Sequence, residues 1–138
     1  MKLCSACLLG KNCKYDGGNN RNEKVMKLAE NEEFLAICPE ELGGLETPRE
    51  AAEIQSNETV ITKSKKDITR NFFLGAEAIL KIAQEKNITQ AILKQKSPSC
   101  GCGKIHDGTF SGKIINGDGI TTKLLKRNGI SVISEEDL

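Results

Sequence analysis

Short apolar runs and helix-spaced apolar positions take turns along the chain, and neither a low-complexity linker nor an internal repeat interrupts them. Leu3 to Ala6 reads as a first strand. A helix is expected from about Asn22 to Asn31, with Val25, Met26, Leu28 and Ala29 on one side. Phe34-Leu35-Ala36-Ile37 is continuously apolar, the pattern of a strand buried on both faces of a parallel sheet. Turn residues crowd Pro39 to Pro48, after which Glu53-Ile54-Gln55 and Thr59-Val60-Ile61-Thr62 can pair as a hairpin across Ser56-Asn57-Glu58. Asp67 predicts an N-cap for a long helix in which Ile68, Phe72, Phe73, Ala76, Ile79, Leu80 and Ala83 recur at helical spacing up to Asn87. Ala91-Ile92-Leu93 reads as a strand and Ser97 to Gly119 as a long polar loop. A last helix, Ile120 to Asn128, stops at Gly129 in a left-handed C-cap before the strand Ile130-Ser131-Val132-Ile133.

Strands alternating with helices predict an α/β fold: an open, mostly parallel, Rossmann-like sheet with helices packed on both faces, as a single domain over residues 1–138. Ligands of such sheets bind beyond the carboxyl ends of the strands. Cys7 follows the first strand, Cys38 closes the second, and Cys100 lies in the loop after the Leu93 strand. Three cysteines far apart in sequence are thereby delivered to one edge.

Composition narrows what those cysteines do. With 20 basic and 19 acidic side chains the net charge is +1, which argues against broad nucleic-acid or membrane binding. No apolar run approaches the roughly 18 residues of a membrane helix. Six cysteines in 138 residues fall well short of a secreted disulfide scaffold. A cytoplasmic, reducing compartment is therefore expected, where cysteines bind metal or do chemistry.

Thiolates suit zinc or iron–sulfur clusters. A zinc knuckle from Cys4, Cys7, Cys100 and Cys102 is one reading, and would make the chain a zinc-stabilised nucleotide- or RNA-binding module without catalysis. Against it, Cys4 lies inside a strand and reads as a small core residue, while Cys13 has no assigned role. Beside the thiols, Glu40 or Glu41 offers a general base, and Ser97-Pro98-Ser99 offers hydroxyls. Lys94, Lys96 and Arg49 bring positive charge suited to a phosphate. The single histidine, His106, reads as a turn residue.

Six ordered motifs carry a resemblance: Ser5-Ala6-Cys7-Leu8-Leu9-Gly10, Tyr15-Asp16-Gly17, Cys38-Pro39-Glu40-Glu41-Leu42-Gly43-Gly44-Leu45, Thr47-Pro48-Arg49, Ser97-Pro98-Ser99-Cys100-Gly101 and Asp107-Gly108-Thr109-Phe110. Together they resemble the thiouracil desulfidase family in its short form. The resemblance implies a [4Fe-4S] cluster held by Cys7, Cys38 and Cys100, with the fourth iron open to the sulfur of a thiolated uracil base or nucleotide. It also implies acid–base or orienting roles for Glu40 and for a serine of the Ser97–Ser99 segment; Ser5, Arg49, Lys94 and Lys96 are expected as substrate-binding residues on their own chemistry.

Overall fold

A computed structural model describes all of residues 1–138. Four strands form one fully parallel sheet: β1 (Lys2–Ser5), β2 (Phe34–Ile37), β5 (Gln90–Leu93) and β8 (Ser131–Ser134), in the order β2-β1-β5-β8. From β1 the chain steps outward to β2, then returns to the other side of β1 for β5 and continues to β8. The order therefore reverses between β1 and β5, and a crevice opens beyond their carboxyl ends.

Strand alternation decides which side each residue serves. Leu3, Ala91 and Leu93 join Ile79 and Ala83 of α3 (Thr69–Glu85) and Leu125 of α4 (Ile120–Arg127) in the largest buried cluster. Cys4 and Ile92 join Leu8 and Val25 of α1 (Glu23–Ala29) in a separate one. Helices thus cover both faces, as the alternating pattern predicts. Asn22 caps α1 by accepting from the Val25 amide at 3.1 Å. Asp67 sits two residues ahead of α3, its Oδ1 accepting from Thr69 N at 2.9 Å and Thr69 Oγ1 at 2.6 Å. Gly129 has φ +82°, the left-handed stop expected after α4.

Three expectations need correction. Phe34–Ile37 is an edge strand in which only Ile37 is buried. Residues 39–48 contain a single-turn helix, α2 (Pro39–Leu42), started by Pro39 at its first position. The supposed loop 97–119 contains a hairpin of β6 (Cys102–His106) and β7 (Ile114–Asp118). Ile105 alone is buried in β6 and no residue is buried in β7, so the hairpin has almost no apolar alternation to read. The expected hairpin forms, with β3 (Ala52–Ile54) antiparallel to β4 (Val60–Thr62). Both hairpins meet the starts of α3 and α4 in a further buried cluster that includes Ile54, Val60, Phe72, Ile105 and Ile120. They wall the crevice at the sheet edge.

Two glycines fix α2 against α3. A Cβ on Gly75 would overlap the Pro39 carbonyl, and one on Gly43 would overlap the Asn71 carbonyl. Asn71 Nδ2 fastens the contact by donating to Gly43 O at 2.8 Å. Gly75→Ala must push α2, with Cys38 and Glu40, off its seat. A loss of about 2 kcal/mol or more is expected. A denaturant melt with an unchanged midpoint would disprove this packing argument.

Candidate active site at the sheet edge

The crevice is a cavity of about 450 Å³, within the usual range for small-molecule sites. Each predicted ligand reaches it from a different element. Cys7 sits in the 3₁₀ turn Ala6–Leu9 that follows β1, Cys38 is the extended residue between β2 and α2, and Cys100 ends the turn after β5. Helix α4 holds this last turn in place. Its otherwise unpaired first amides donate to the loop carbonyls, Ile120 N to Pro98 O at 2.9 Å and Thr121 N to Ser99 O at 2.9 Å. Thr122 Oγ1 adds a bond to Cys100 O at 2.9 Å.

The six cysteines separate cleanly. Cys7, Cys13, Cys38 and Cys100 line the cavity. Cys4 is instead enclosed in the α1-side core, where burial first of all pushes its thiol up to about 12. Cys102 packs toward the opposite core and lies 3.4 Å from Val132 O. Two members of the four-cysteine zinc reading, Cys4 and Cys102, therefore do not line the cavity that Cys7 and Cys100 share. No three His, Cys, Asp or Glu side chains come together on one point in the unliganded chain.

Burial holds the Cys7 and Cys100 thiols above the ordinary range, and hydroxyls of Ser5 and Ser99 partly offset this at Cys100. Cys38 is shifted down, chiefly by a hydrogen bond from the Cys13 thiol and further by the Glu41 amide and Arg49. The donors at the sheet edge are thus soft thiols set around a space rather than on one point, with hydroxyl, thiol and amide donors facing their sulfurs. That chemistry fits an iron–sulfur cluster.

Glu40, in the first turn of α2, lines the same cavity. Its Oε1 accepts from Ser99 Oγ at 2.7 Å, and its Oε2 lies 3.7 Å from Arg49 Nη2. Ser97 and Ser99 hydroxyls are 3.0 Å apart. A serine has one proton to give, and Ser99's goes to Glu40, so the Ser97 hydroxyl faces the Ser99 oxygen as donor. Ser97 Oγ also accepts from Ser99 N and Cys100 N, each at 3.1 Å. Ser97 borders the cavity, whereas Ser99 is fully buried behind it.

The expected substrate-binding residues are all at the cavity wall, but mostly engaged. Ser5 Oγ accepts from Lys94 N at 2.9 Å and its hydroxyl faces Cys100. Arg49 is pinned by Cys13 O at 2.9 Å and Thr47 Oγ1 at 2.7 Å. Lys94 pairs with Glu135 at 3.0 Å, and Lys96 pairs with Glu136 at 3.6 Å. The C-terminal acidic turn therefore neutralises much of the positive charge that a phosphate would use.

Residues 3–137 match the model of a family described as 2-thiouracil desulfurase. The chain belongs to the 2-thiouracil desulfurase family. It is 44% identical to the uncharacterized protein YbbK of Bacillus subtilis (strain 168), a match covering 100% of this chain and 97% of that protein. Among solved structures it is similar to the [4Fe-4S]-dependent thiouracil desulfidase TudS (DUF523Vcz), with 45% identity and a TM-score of 0.93 over 99% of this chain and 91% of that one. In this desulfurase-family chain, the cavity residues outside the sequence-based site include Cys13, Glu53 and His106. Cys13 meets Cys38, Glu53 projects from β3, and His106 is the last residue of β6 rather than a turn residue. The Asp107-Gly108-Thr109-Phe110 motif next to His106 was the one available signal. No helix is long and apolar enough to cross a membrane.

Proposed function

We propose that this protein is a [4Fe-4S]-dependent desulfidase that hydrolyses the C–S bond of a thiolated uracil, giving the oxo-pyrimidine and sulfide. The observation that carries the reading is the convergence of Cys7, Cys38 and Cys100 on a cavity that Ser97 and Glu40 also line, the two linked through the buried Ser99. Membership of the desulfurase family and the likeness to TudS support it. Cys7, Cys38 and Cys100 would hold the cluster, and the Ser5 hydroxyl faces Cys100 at the cavity wall. When bound, the cluster supplies a soft Lewis acid to the thiocarbonyl sulfur.

The remaining steps belong to the chain. Glu40 takes a proton from water as the water oxygen adds to the thiocarbonyl carbon. Ser99 fixes the carboxylate through Oε1, leaving Oε2 between Arg49 and the cavity. Ser97, at the wall, orients water or substrate and relays toward Ser99. Glu40 returns that proton to the sulfur, then takes the proton of the added hydroxyl as the C–S bond breaks and passes it to the leaving hydrosulfide, so C=S and water become C=O and hydrogen sulfide without electron transfer. The thiolate set requires a reducing compartment, which favours the cytoplasm, and a cavity of about 450 Å³ suits a small thiopyrimidine better than nucleic acid. Arg49, with Lys94 and Lys96 in exchange for their acidic partners, holds a substrate phosphate where one is present.

Anaerobic reconstitution is expected to give about four irons per chain and sulfide release from 4-thiouracil compounds. Stoichiometric zinc without visible absorption would overturn the reading.

A further inference from the structure

The cavity contains a second carboxylate that the desulfuration steps leave unused. Glu53 is only 9% exposed, yet it lines the cavity. Its Oε1 accepts from two backbone amides, Gly108 N at 3.0 Å and Phe110 N at 3.1 Å. Gln55 Nε2 adds a bond to the Gly108 carbonyl at 3.1 Å. Gly108 reaches this seat with φ +94°, and any side chain there would press on the Ile54 carbonyl at 2.8 Å. One oxygen of Glu53 therefore clamps the loop 107–110 to β3.

The other oxygen is uncommitted. Both protein hydrogen bonds to this carboxylate end on Oε1, and no lysine, arginine or histidine pairs with it. A carboxylate has about four acceptor sites, so Oε2 keeps acceptor capacity that no protein donor fills. His106, two residues before Gly108, borders the same cavity and has a buried Nδ1 with no partner. This wall of the cavity is polar, rigidly held and not satisfied by the protein itself.

We propose that Glu53 is a specificity-determining residue: its Oε2 accepts a hydrogen bond from a donor group of the substrate, the ring N–H of a thiolated pyrimidine or a hydroxyl of its ribose. The assignment rests on the thiopyrimidine reading above. Oε1 is fixed by two amides, so Oε2 is aimed before substrate arrives and little ordering is needed on binding. An acceptor at this place discriminates against analogues that lack the matching donor.

The test is Glu53→Gln in the iron-loaded enzyme. The amide oxygen can still accept from Gly108 and Phe110, while its NH₂ group replaces Oε2 and meets the substrate donor head-on. KM for 4-thiouracil or 4-thiouridine, and Ki for the corresponding oxo-product, are expected to rise about tenfold or more, with kcat, iron content and melting temperature close to wild type. A penalty on base and nucleoside alike identifies a ring N–H; a penalty on the nucleoside alone identifies a ribose hydroxyl. Unchanged KM and Ki overturn the proposal, as does a parallel loss of iron, stability and activity, which would reduce Glu53 to a loop clamp. A second measurement needs no variant. Wild-type enzyme must lose affinity for either N3-methylated or ribose-deoxygenated substrate, and indifference to both overturns the assignment. Wild-type enzyme that releases no sulfide from any thiopyrimidine would instead refute the function on which the proposal rests.

Discussion

Cys7→Ser, Cys38→Ser and Cys100→Ser are each expected to abolish cluster loading, while Cys4→Ser, Cys13→Ser and Cys102→Ser keep it. The division follows from placement. The first three stand on separate segments that meet only because β1, β2 and β5 run parallel and end at one edge. With two thiolates a cluster loses a third of its protein ligands, and a serine hydroxyl is a hard donor that does not replace soft sulfur. Cys4 is buried beside Val25 and Ile92, and Cys102 packs near Val132, so neither reaches the cavity. Cys13 does reach it, but it meets Cys38 Sγ, at 3.8 Å, through its backbone carbonyl, which a serine keeps. Iron and acid-labile sulfide per chain after anaerobic reconstitution, together with the visible absorption, read the result. Loss of iron in the Cys4 or Cys102 variant with retention in any of the first three would refute this ligand set.

The parts of the molecule legible in the sequence are those whose signal is local. The parallel strands announce themselves because Leu3, Ile92 and Leu93 must be apolar wherever helices cover both faces. Asn22 and Gly129 mark helix ends by side-chain and backbone chemistry that depends on a few neighbours. Cys7, Cys38 and Cys100 could be placed together because strand direction alone sends three strand ends to one edge. What stays hidden depends on distant partners. Nothing near Lys94 or Lys96 reveals that Glu135 and Glu136 will pair with them. Glu53 resembles an exposed strand charge until Gly108 and Phe110 dock on it from the second hairpin. That hairpin lacks apolar alternation because it gains only Ile105 from the core. His106 and Cys13 reach the cavity by the same kind of tertiary placement, one from a strand end and the other from a loop.

Among the polar groups, Glu40→Gln is expected to be the most damaging, lowering kcat by about 10²- to 10⁴-fold with iron content unchanged. The glutamine amide has nearly the shape of the carboxylate and can still accept from Ser99, so α2 and Cys38 keep their positions. What it lacks is the capacity to take a proton from water and return it to the leaving sulfide. Ser99→Ala should act less strongly. It leaves Glu40 Oε1 without its 2.7 Å hydrogen bond and loosens the carboxylate, but the base itself remains. A loss of about tenfold in kcat is expected from such a positioning residue. Ser97→Ala has a different signature, because Ser97 Oγ accepts from the Cys100 amide and from Ser99 N as well as bordering the cavity. Its removal should lower iron content as well as turnover. The three variants are therefore separated by measuring kcat and iron on the same samples. If the fully loaded Glu40→Gln enzyme keeps more than about a tenth of wild-type kcat, or falls no further than Ser99→Ala, the carboxylate does not carry the proton. The proton transfer would then have to be assigned to another group at the cavity wall.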